Sequence, residues 1–397
     1  MKKIIIISTN YLSHLDFKRL DIDNYLKNKI NIEVWYLNEL VKRNYKSKKI
    51  KYKRVKVIKI QKFTNLEKKI KENHLNCLYD LRLSYTFANR KIFYLLSKYK
   101  IHYLVHPGTP INPYAKDRNF INFLMSQFKK IINGKFFNLI EVFFNKIFLL
   151  FNSAFWGIQK AEYAYLIGKF AYLNLKKNRL IGPHTNLIWG HHRTYDDYLK
   201  FKIRRKKNKK KNILFIDQAA PHHPDLIELN LSDIDEKKYY NSIKKFLVKL
   251  KKDFGYDIEI SAHPRFSANR LKKFFPKFKI KIGKTIQQIK EANLIVCHAS
   301  NAINFAVIFN KPVMFVTNDC LSNSVFPHNQ EINYMAEQFG KNTINIDSNT
   351  IANIESYLKI DKKAYKNYLT NFIKFKGKKK IQSDIIVDQL KKNKFWQ

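Results

Sequence analysis

Short apolar runs alternate with longer helical patterns along both halves of this chain. In the first half, residues 4–7, 32–37 and 55–60 read as strands, and residues 101–110 read as a strand that opens into a Pro-Gly loop. The same pattern restarts at residues 212–218. Strands that alternate with helices are typical of parallel, doubly wound sheets. The sequence therefore predicts an α/β fold with two Rossmann-like domains.

The domain boundaries follow from length and from one basic run. A chain of 397 residues exceeds the usual size of a single domain. Residues 202–211 are lysine-rich without apolar periodicity, which favours a solvated connector over the alternative of a nucleic-acid-binding arm. We therefore expect a first domain at 1–200, a linker at 201–211, a second domain at 212–375 and a C-terminal helix at 376–397, which we expect to pack back across the domain junction.

Residues 136–158 form the most apolar stretch of the chain. Polar residues interrupt it at Glu141, Asn145, Lys146 and Asn152, so it is too polar for a membrane span of about 20 apolar residues. Two interpretations have equal weight: a helix buried in the core or lining a crevice, and an amphipathic helix resting on an anionic membrane. Lysines suited to the second flank it at positions 129, 130, 135 and 160.

The net charge predicts attraction to polyanions. Lys and Arg number 76 against 31 Asp and Glu, for a formal charge of +45. A nucleic acid, an anionic membrane face and a nucleotide-bearing substrate all fit such a charge. The abundance of Ile, Lys, Asn, Phe and Tyr also matches an AT-rich coding sequence. Nucleic-acid binding is the weaker alternative, because the lysines are dispersed and no known nucleic-acid-binding motif occurs.

Three cysteines, Cys77, Cys297 and Cys320, are too few and too widely spaced for a disulfide framework or a cysteine zinc site. The N-terminal apolar run at 4–7 is too short for a signal peptide. We therefore expect a cytoplasmic protein in a reducing compartment.

Candidate anion-binding residues follow three strands of the second domain. His263, Pro264 and Arg265 come directly after DIEISA, and Ser300 and Asn301 come after LIVCHA. The carboxyl ends of parallel strands face the ligand crevice of an open sheet. A guanidinium and the free N–H groups of a helix start both suit a phosphate, although a surface turn and an ordinary N-cap are the plainer alternatives. Lys284 and Thr285 lie at a further strand end.

Asp217, after the first strand of the second domain, is a candidate general base, with a turn-forming or structural carboxylate as the alternative. His222, His223 and Asp225 suggest metal ligation, but no acidic cluster recurs downstream to complete such a site. Asp196-Asp197 and Asp233-Ile234-Asp235 fall at predicted helix starts, where acidic residues favour the helix dipole. We therefore expect no metal site.

These motifs carry a family resemblance. ILFIDQAAPHHPD, ISAHPRFS, GKT and VCHASNAINFAVIFNKPVMFVTND resemble the C-terminal domain of bacterial surface-carbohydrate glycosyltransferases of the GT-B type. The pattern is similar to that of His-Pro-motif sialyltransferases and Kdo transferases, although Asp217-Gln218 replaces the acidic pair and glycine of the sialyltransferases. The resemblance covers residues 212–319, and over the N-terminal half it is architectural only.

The resemblance implies two Rossmann-like domains with a central cleft, an acceptor-binding first domain and a nucleotide-sugar-binding second domain. It implies inverting, metal-independent transfer of a nonulosonic acid from a CMP-sugar to a glycan hydroxyl, with His263, Ser300 and Asn301 at the donor phosphate and an acidic base, here Asp217. His298, inside the same motif, joins the nucleotide-binding candidates. A glycan or glycolipid acceptor at the inner membrane face is the implied partner.

A UDP-sugar enzyme of the same fold is the alternative. Such enzymes usually carry a Glu near the sugar-binding helix, and no Glu occurs between Glu291 and Glu331, which counts against them. Substrate choice is expected to depend on the first-domain loops 8–13, 80–82 and 106–110.

Overall fold

The structure is a computed structural model, which describes residues 2–9, 17, 20–41, 54–73, 77–107, 136–175, 178–201, 211–223, 226–227, 231–264, 267–348, 351 and 353–396, with backbone alone at 136–142. The chain divides into two compact units. The first takes the described residues up to 107, those at 136–199 and those from 374 onward, and the second takes those at 200–373.

The first unit is built on a seven-stranded sheet in which all pairings are parallel. Its strands are β1 (Lys3–Ser8), β2 (Asn31–Tyr36), β3 (Lys56–Lys59), β4 (Cys77–Arg82), β5 (Tyr103–Val105), β6 (Tyr163–Ile167) and β7 (Asn186–Gly190). Their spatial order is β3-β2-β1-β4-β5-β6-β7. The chain thus winds outward from β1 in one direction, then returns and winds in the other.

Helices cover both faces of this sheet, which is why its strands read as continuous apolar runs. The helices are α1 (Ile22–Lys27), α2 (Phe63–Glu72), α3 (Arg90–Lys98), α4 (Phe136–Leu150), α5 (Gly168–Leu173) and α6 (Arg193–Lys200). Along β1, Ile5 and Ile7 belong to one core cluster, and Ile4 and Ile6 belong to the cluster on the opposite face. Alternate side chains of one strand therefore feed two separate cores.

The second unit repeats this plan with six parallel strands in the order β10-β9-β8-β11-β12-β13. The strands are β8 (Asn212–Ile216), β9 (Asp257–Ala262), β10 (Lys279–Ile282), β11 (Leu294–Cys297), β12 (Val313–Thr317) and β13 (Thr343–Asn345). The helices are α7 (Glu236–Phe254), α8 (Ala268–Phe274), α9 (Thr285–Glu291), α10 (Ile303–Ile308), α11 (Asp319–Ser322), α12 (His328–Gln338), α13 (Glu355–Leu358) and α14 (Lys362–Tyr368). The prediction of two doubly wound α/β domains is confirmed.

The last helix, α15 (Gln382–Lys392), belongs to the first unit. Ile386 and Leu390 are fully buried in the core cluster that also holds Ile4 and Ile6. Asn24 Nδ2 donates to Asp384 Oδ1 at 2.6 Å, and the Gln382 N–H donates to Asp196 Oδ1 at 2.9 Å. Asp196 therefore fixes the start of the last helix.

Helix α4 ends at Leu150, and a 3-10 turn at Ser153–Trp156 follows it, so the apolar stretch predicted at 136–158 is not one continuous helix. In the part of the chain that the structure describes, no helix is long and apolar enough to cross a membrane. The predicted linker lies almost entirely outside the described residues.

A substitution of Gly190, at the end of β7, can test how tightly the first unit is packed. A Cβ at this position would lie 1.9 Å from Cζ of Tyr165, a ring buried in the core. Because the ring has no free space, we expect Gly190→Ala to lower the free energy of unfolding by about 1–3 kcal/mol. Thermal melting with Gly182→Ala as the control checks this, since there the added carbon meets only the flexible Lys160 side chain, at 3.0 Å. Equal melting temperatures for the two variants would show that this account of the packing is wrong.

Candidate functional site

The strand orders locate a candidate crevice in each unit. In the second unit the winding direction changes between β8 and β11, and in the first unit it changes between β1 and β4. At such a switch point the connections leave the carboxyl ends of adjacent strands in opposite directions, which opens a crevice that binds ligands. The residues that follow β8 and β11, and those that end β1 and β4, are therefore the first to inspect.

Asp217 follows β8 at the switch point of the second unit and is 2% exposed. Its Oδ1 accepts a hydrogen bond from the Ala219 N–H at 3.0 Å, so the residue shapes the turn. Its Oδ2 is buried and has no hydrogen-bond partner among the described residues. Burial raises the pKa of Asp217 to about 7, and the single hydrogen bond to Ala219 only partly opposes this. The carboxyl group can therefore take or give a proton near neutral pH.

His298 follows β11, directly beside β8 in the sheet. Its Nδ1 lies 2.6 Å from the carbonyl oxygen of Val316. Because a carbonyl oxygen only accepts, Nδ1 carries the proton, and Nε2 keeps a lone pair. Burial lowers the pKa of His298 to about 4, so the ring is neutral at physiological pH. Nε2 is buried without a partner in the described part of the chain, and it can accept a hydrogen bond from a hydroxyl or an N–H group.

Two further residues complete what we call the polar cluster: Asp217, Tyr239, His298 and His328. The ring of Tyr239 lies 5.8 Å from that of His298, and burial followed by the nearby Asp217 charge raises the pKa of its hydroxyl. Burial, then His298 and His223, lowers the pKa of His328 to about 3. Tyr239 OH and His328 Nε2 are also buried without a partner among the described atoms. Four buried groups thus each present one unsatisfied polar atom.

The His-Pro motif lies one strand away from this cluster. His263 follows β9, which pairs with β8, and its ring centroid lies 5.5 Å from that of His223. Pro264 is exposed beside it, and Arg265 lies outside the described residues. The structure therefore brings His223 and His263 together at the carboxyl end of the sheet, while the predicted phosphate contact stays a prediction.

Ser300 and Asn301 lie in the turn after His298, but neither is the N-cap of the next helix. Helix α10 begins at Ile303, with Ala302 as its N-cap. Ser300 Oγ instead accepts from the Ala302 N–H at 3.2 Å, and Asn301 is exposed. The N-cap prediction was wrong because the serine side chain closes its own turn two residues before the helix.

Lys284 and Thr285 lie farther from the switch point than the sequence suggested. They follow β10, the edge strand, which is separated from β8 by β9. The Oγ1 of Thr285 is 2.7 Å from Oγ of the buried Ser261, so this hydroxyl ties α9 to β9. Lys284, not Thr285, is the N-cap. Their predicted contact with a nucleotide stays a prediction.

Most of the residues that the sequence analysis considered as metal ligands form hydrogen bonds or ion pairs with other protein groups. His222 Nε2 lies 2.9 Å from Glu236 Oε1, which also pairs with Arg270. Asp235 is the N-cap of α7 and accepts from the Lys238 N–H at 2.9 Å. Asp225 lies outside the described residues. Within the described ranges, no three His, Cys, Asp or Glu side chains are placed to hold a metal ion.

A buried carboxylate that the sequence could not assign lies one helical turn after His328. Glu331 is on α12, and burial raises its pKa to about 7. Residues three apart in a helix are neighbours on its surface, so Glu331 extends the same face as His328. The sequence argument against UDP-sugar enzymes used the absence of a Glu before position 331. Helix α12 thus carries both Glu331 and His328 of the polar cluster.

At the switch point of the first unit, Asp80, Arg82 and His106 form a hydrogen-bonded triad. Asp80 Oδ2 accepts from Arg82 Nη2 at 2.8 Å, and Asp80 Oδ1 lies 2.6 Å from His106 Nε2. Burial alone would raise the pKa of Asp80, but Arg82 and His106 outweigh burial and hold it well below its usual range. Burial, then Arg82, lowers the pKa of His106 despite Asp80. Asp80 is thus ionised and His106 neutral at pH 7.

This charge state fixes the tautomer of His106. A carboxylate only accepts, so Nε2 carries the proton and donates to Asp80. Nδ1 therefore keeps the lone pair, in an arrangement that can take a proton from a hydroxyl group. The loops 80–82 and 106–110 were predicted to select substrate without individual roles. The hydrogen bond between Asp80 and His106 was not visible in the sequence, because Asp80 lies on β4 and His106 follows β5.

Comparisons with known proteins give similarity of fold only. No family model matches the chain, and no curated protein matches it. A UDP-GlcNAc 2-epimerase from Methanocaldococcus jannaschii, solved with UDP-GlcNAc and UDP, is 15% identical at a TM-score of 0.47 and covers 99% of this chain and 100% of its own. The Acinetobacter baumannii MurG is 10% identical, with 92% and 95% covered and a TM-score of 0.45. Phytolacca americana UGT2 is 7% identical, with 100% and 94% covered and a TM-score of 0.45. These values are too low to carry an argument about function.

Asp217 makes stability depend on pH in a defined window. Its pKa is 3.8 ordinarily and about 7 in the folded chain. Between these values the folded state keeps a proton that the unfolded state has lost, so the free energy of unfolding falls by about 1.4 kcal/mol per pH unit as pH rises. The contribution is complete below about pH 4 and lost above about pH 7.

We therefore expect Asp217→Asn, which keeps the shape of the neutral acid, to be stabilised relative to wild type by clearly more at about pH 8 than at about pH 5, because the difference starts near pH 4 and grows by about 1.4 kcal/mol per pH unit up to about pH 7. Urea unfolding at the two pH values measures this. Asp253→Asn, at an exposed position on α7, is the matched control. If Asp217→Asn followed the wild-type pH dependence, the carboxyl group would not be protonated in the folded chain.

Proposed function

We propose that the chain is a glycosyltransferase that uses a nucleotide-activated sugar. The observation that carries the proposal is the polar cluster at the switch point of the second sheet, where four buried groups each have one polar atom without a partner among the described residues. Leaving a buried polar atom unpaired costs about 1–3 kcal/mol, so such atoms need a ligand or water to complete them. Their position at the carboxyl ends of β8 and β11 supports a ligand.

The chemistry of the cluster favours a ligand rich in hydroxyl groups with an adjoining phosphate. His298 Nε2 accepts from a hydroxyl or N–H, and therefore suits a ribose, sugar or base rather than a phosphate oxygen, which also only accepts. Tyr239 OH can donate to a phosphate oxygen. We propose that His263 and Arg265, with the turn at Ser300 and Asn301, supply the remaining phosphate contacts. These protein groups can meet the leaving phosphate, so we propose transfer without a resident metal.

A UDP-sugar is the donor that we propose first, and a CMP-nonulosonate is the second. The half-buried Glu331 on the helix of His328 supplies the carboxylate whose absence had counted against UDP-sugars. The CMP alternative rests on the motif resemblance at His263 and Ser300. A glycan or glycolipid hydroxyl is the proposed acceptor in either case.

The reaction forms a bond between the acceptor oxygen and the anomeric carbon while the bond from that carbon to the phosphate oxygen breaks. The electron pair of the broken bond leaves with the phosphate oxygen, and the acceptor proton passes to a base. Asp217 is the base that the sequence predicted, and its pKa of about 7 suits the role.

Nucleotide binding tests the proposal directly. We expect UDP or CMP to bind the wild-type chain saturably in calorimetry, with EDTA present or absent, and His298→Ala to weaken the binding by about tenfold or more, since a lost buried hydrogen bond is worth about 1.4 kcal/mol. His263→Ala should also weaken it. His184→Ala, at an exposed histidine of the first unit, is the control and should bind as wild type does.

Selective binding of UDP over CMP would decide the donor in favour of the first candidate, and the reverse selectivity would decide it for the second. No binding of either nucleotide, or equal binding by His298→Ala and wild type, would overturn the proposed function. Steeply salt-dependent retention of DNA with no nucleotide binding would favour a nucleic-acid-binding protein instead.

A further inference from the structure

The first unit exposes a continuous stretch of large apolar side chains on α4 and the turn after it. Phe143 is 60% exposed, Leu150 72% and Phe155 66%. Their exposed apolar neighbours in the chain are Phe144, Leu149 and Phe151. We call these six side chains the aromatic surface. Single exposed apolar residues are ordinary, but a group concentrated in one short segment marks an interaction site.

The aromatic surface is held in place by the core beneath it. Phe148, on the same helix, is fully buried and packs at ring-centroid distances of 4.6 Å from Tyr85 and 5.3 Å from Trp156. Asn145 Oδ1 accepts from the Phe87 N–H at 2.9 Å, and Phe87 stacks on Phe144 with centroids 5.2 Å apart. The helix is therefore amphipathic with respect to the unit. One side is packed into the core, and the aromatic side faces outward.

The rim of the aromatic surface is basic. The Arg90 guanidinium lies 3.7 Å from the centroid of Phe87, which stacks on Phe144. Arg179 donates from Nε to the Leu149 carbonyl oxygen at 3.1 Å, and Lys160 donates to Asn152 Oδ1 at 2.9 Å. Lys146 is exposed on α4 itself. Residues 143–156, which carry the aromatic surface, contain no Asp or Glu.

Exposed aromatic side chains with a basic rim favour an anionic membrane as the binding partner over a second copy of the chain. A second copy of the chain would place the same basic rim against itself, in a protein whose formal charge is +45. An anionic lipid surface can bind the aromatic side chains and the basic rim at the same time. Aromatic side chains enter the boundary between headgroups and acyl chains, and Lys and Arg pair with the headgroups. No described helix can span a bilayer, so the contact is with one face only.

We propose that the aromatic surface docks the first unit onto an anionic membrane. Phe143, Leu150 and Phe155 insert, and Arg90, Lys146, Lys160 and Arg179 contact the lipid headgroups. The proposal stands on exposure and charge in the first unit and is independent of the nucleotide site in the second. A glycolipid acceptor would lie at the same membrane.

Sedimentation with lipid vesicles tests this proposal with the full chain. We expect wild type to bind vesicles of equimolar phosphatidylglycerol and phosphatidylcholine, and to bind phosphatidylcholine vesicles much more weakly. Replacing Phe143, Leu150 and Phe155 together by Ser should lower the partition coefficient by about tenfold or more, because the buried apolar area is lost. High salt should weaken wild-type binding, since the cations contribute through screened attraction.

The matched control replaces three exposed apolar residues elsewhere, Val57, Ile227 and Val248, by Ser. It should bind vesicles as wild type does, and melting temperatures confirm that both triple variants are folded. Equal binding by wild type and the Phe143, Leu150 and Phe155 variant would overturn the proposal. So would a failure of wild type to bind anionic vesicles, or a wild-type dimer in analytical ultracentrifugation that this variant converts to monomer. Loss of vesicle binding with nucleotide binding intact would separate this proposal from the proposed function.

Discussion

The burial of Asp217 at the carboxyl end of β8 is the constraint on which the chemistry of the second unit depends. β8 is a central strand, flanked by β9 and β11, so the residue that follows it has packed structure on both sides. Asp217 is 2% exposed, one of its carboxyl oxygens has no partner among the described residues, and burial raises the pKa of the acid to about 7. The neighbouring His298 is neutral for the same reason, with its acceptor nitrogen fixed by the bond that Nδ1 donates to Val316. A site without fixed charge can then recognise hydroxyl groups and phosphate by hydrogen bonds.

The two units use a buried carboxyl group in opposite ways. No described cation lowers the pKa of Asp217, which therefore holds its proton up to about neutral pH. Asp80 lies between Arg82 and His106, which keep it ionised and let it orient the imidazole. The difference follows from the neighbours of each carboxyl group, because burial prevails at Asp217 whereas the adjacent guanidinium and imidazole outweigh burial at Asp80.

The fold was largely predictable from sequence because short stretches of neighbouring residues are enough to indicate its strands and helices. Buried parallel strands read as short apolar runs, and those at 4–7 and 212–216 appear in the structure as β1 and β8. The polar positions after strands were predictable by the same logic, as for Asp217 and His263. The strand order and the return of α15 to the first unit depend on contacts between distant residues, which a single sequence does not display.

The site was predictable only in part. Tyr239 and His328 join Asp217 through folding of distant helices, and no spacing rule connects them. The distance in sequence between Asp80 and His106 likewise hides their hydrogen bond. Ser300 was predicted as an N-cap, but its side chain accepts a hydrogen bond within the turn before the helix. The preference of serine for both turns and helix starts does not distinguish these two positions. Helix α4 reads as apolar in sequence, and only the structure separates the buried Phe148 from the exposed Phe143.

The most direct test of the central claim is an NMR titration of the protein labelled at its histidine rings, with UDP as the ligand. The account predicts that the resonances of His223, His263, His298 and His328 shift together and saturate at one UDP concentration, while those of the exposed His102 and His184 stay in place. Shifts confined to the exposed histidines, or none at His298, would contradict a nucleotide site at the carboxyl ends of β8 and β11.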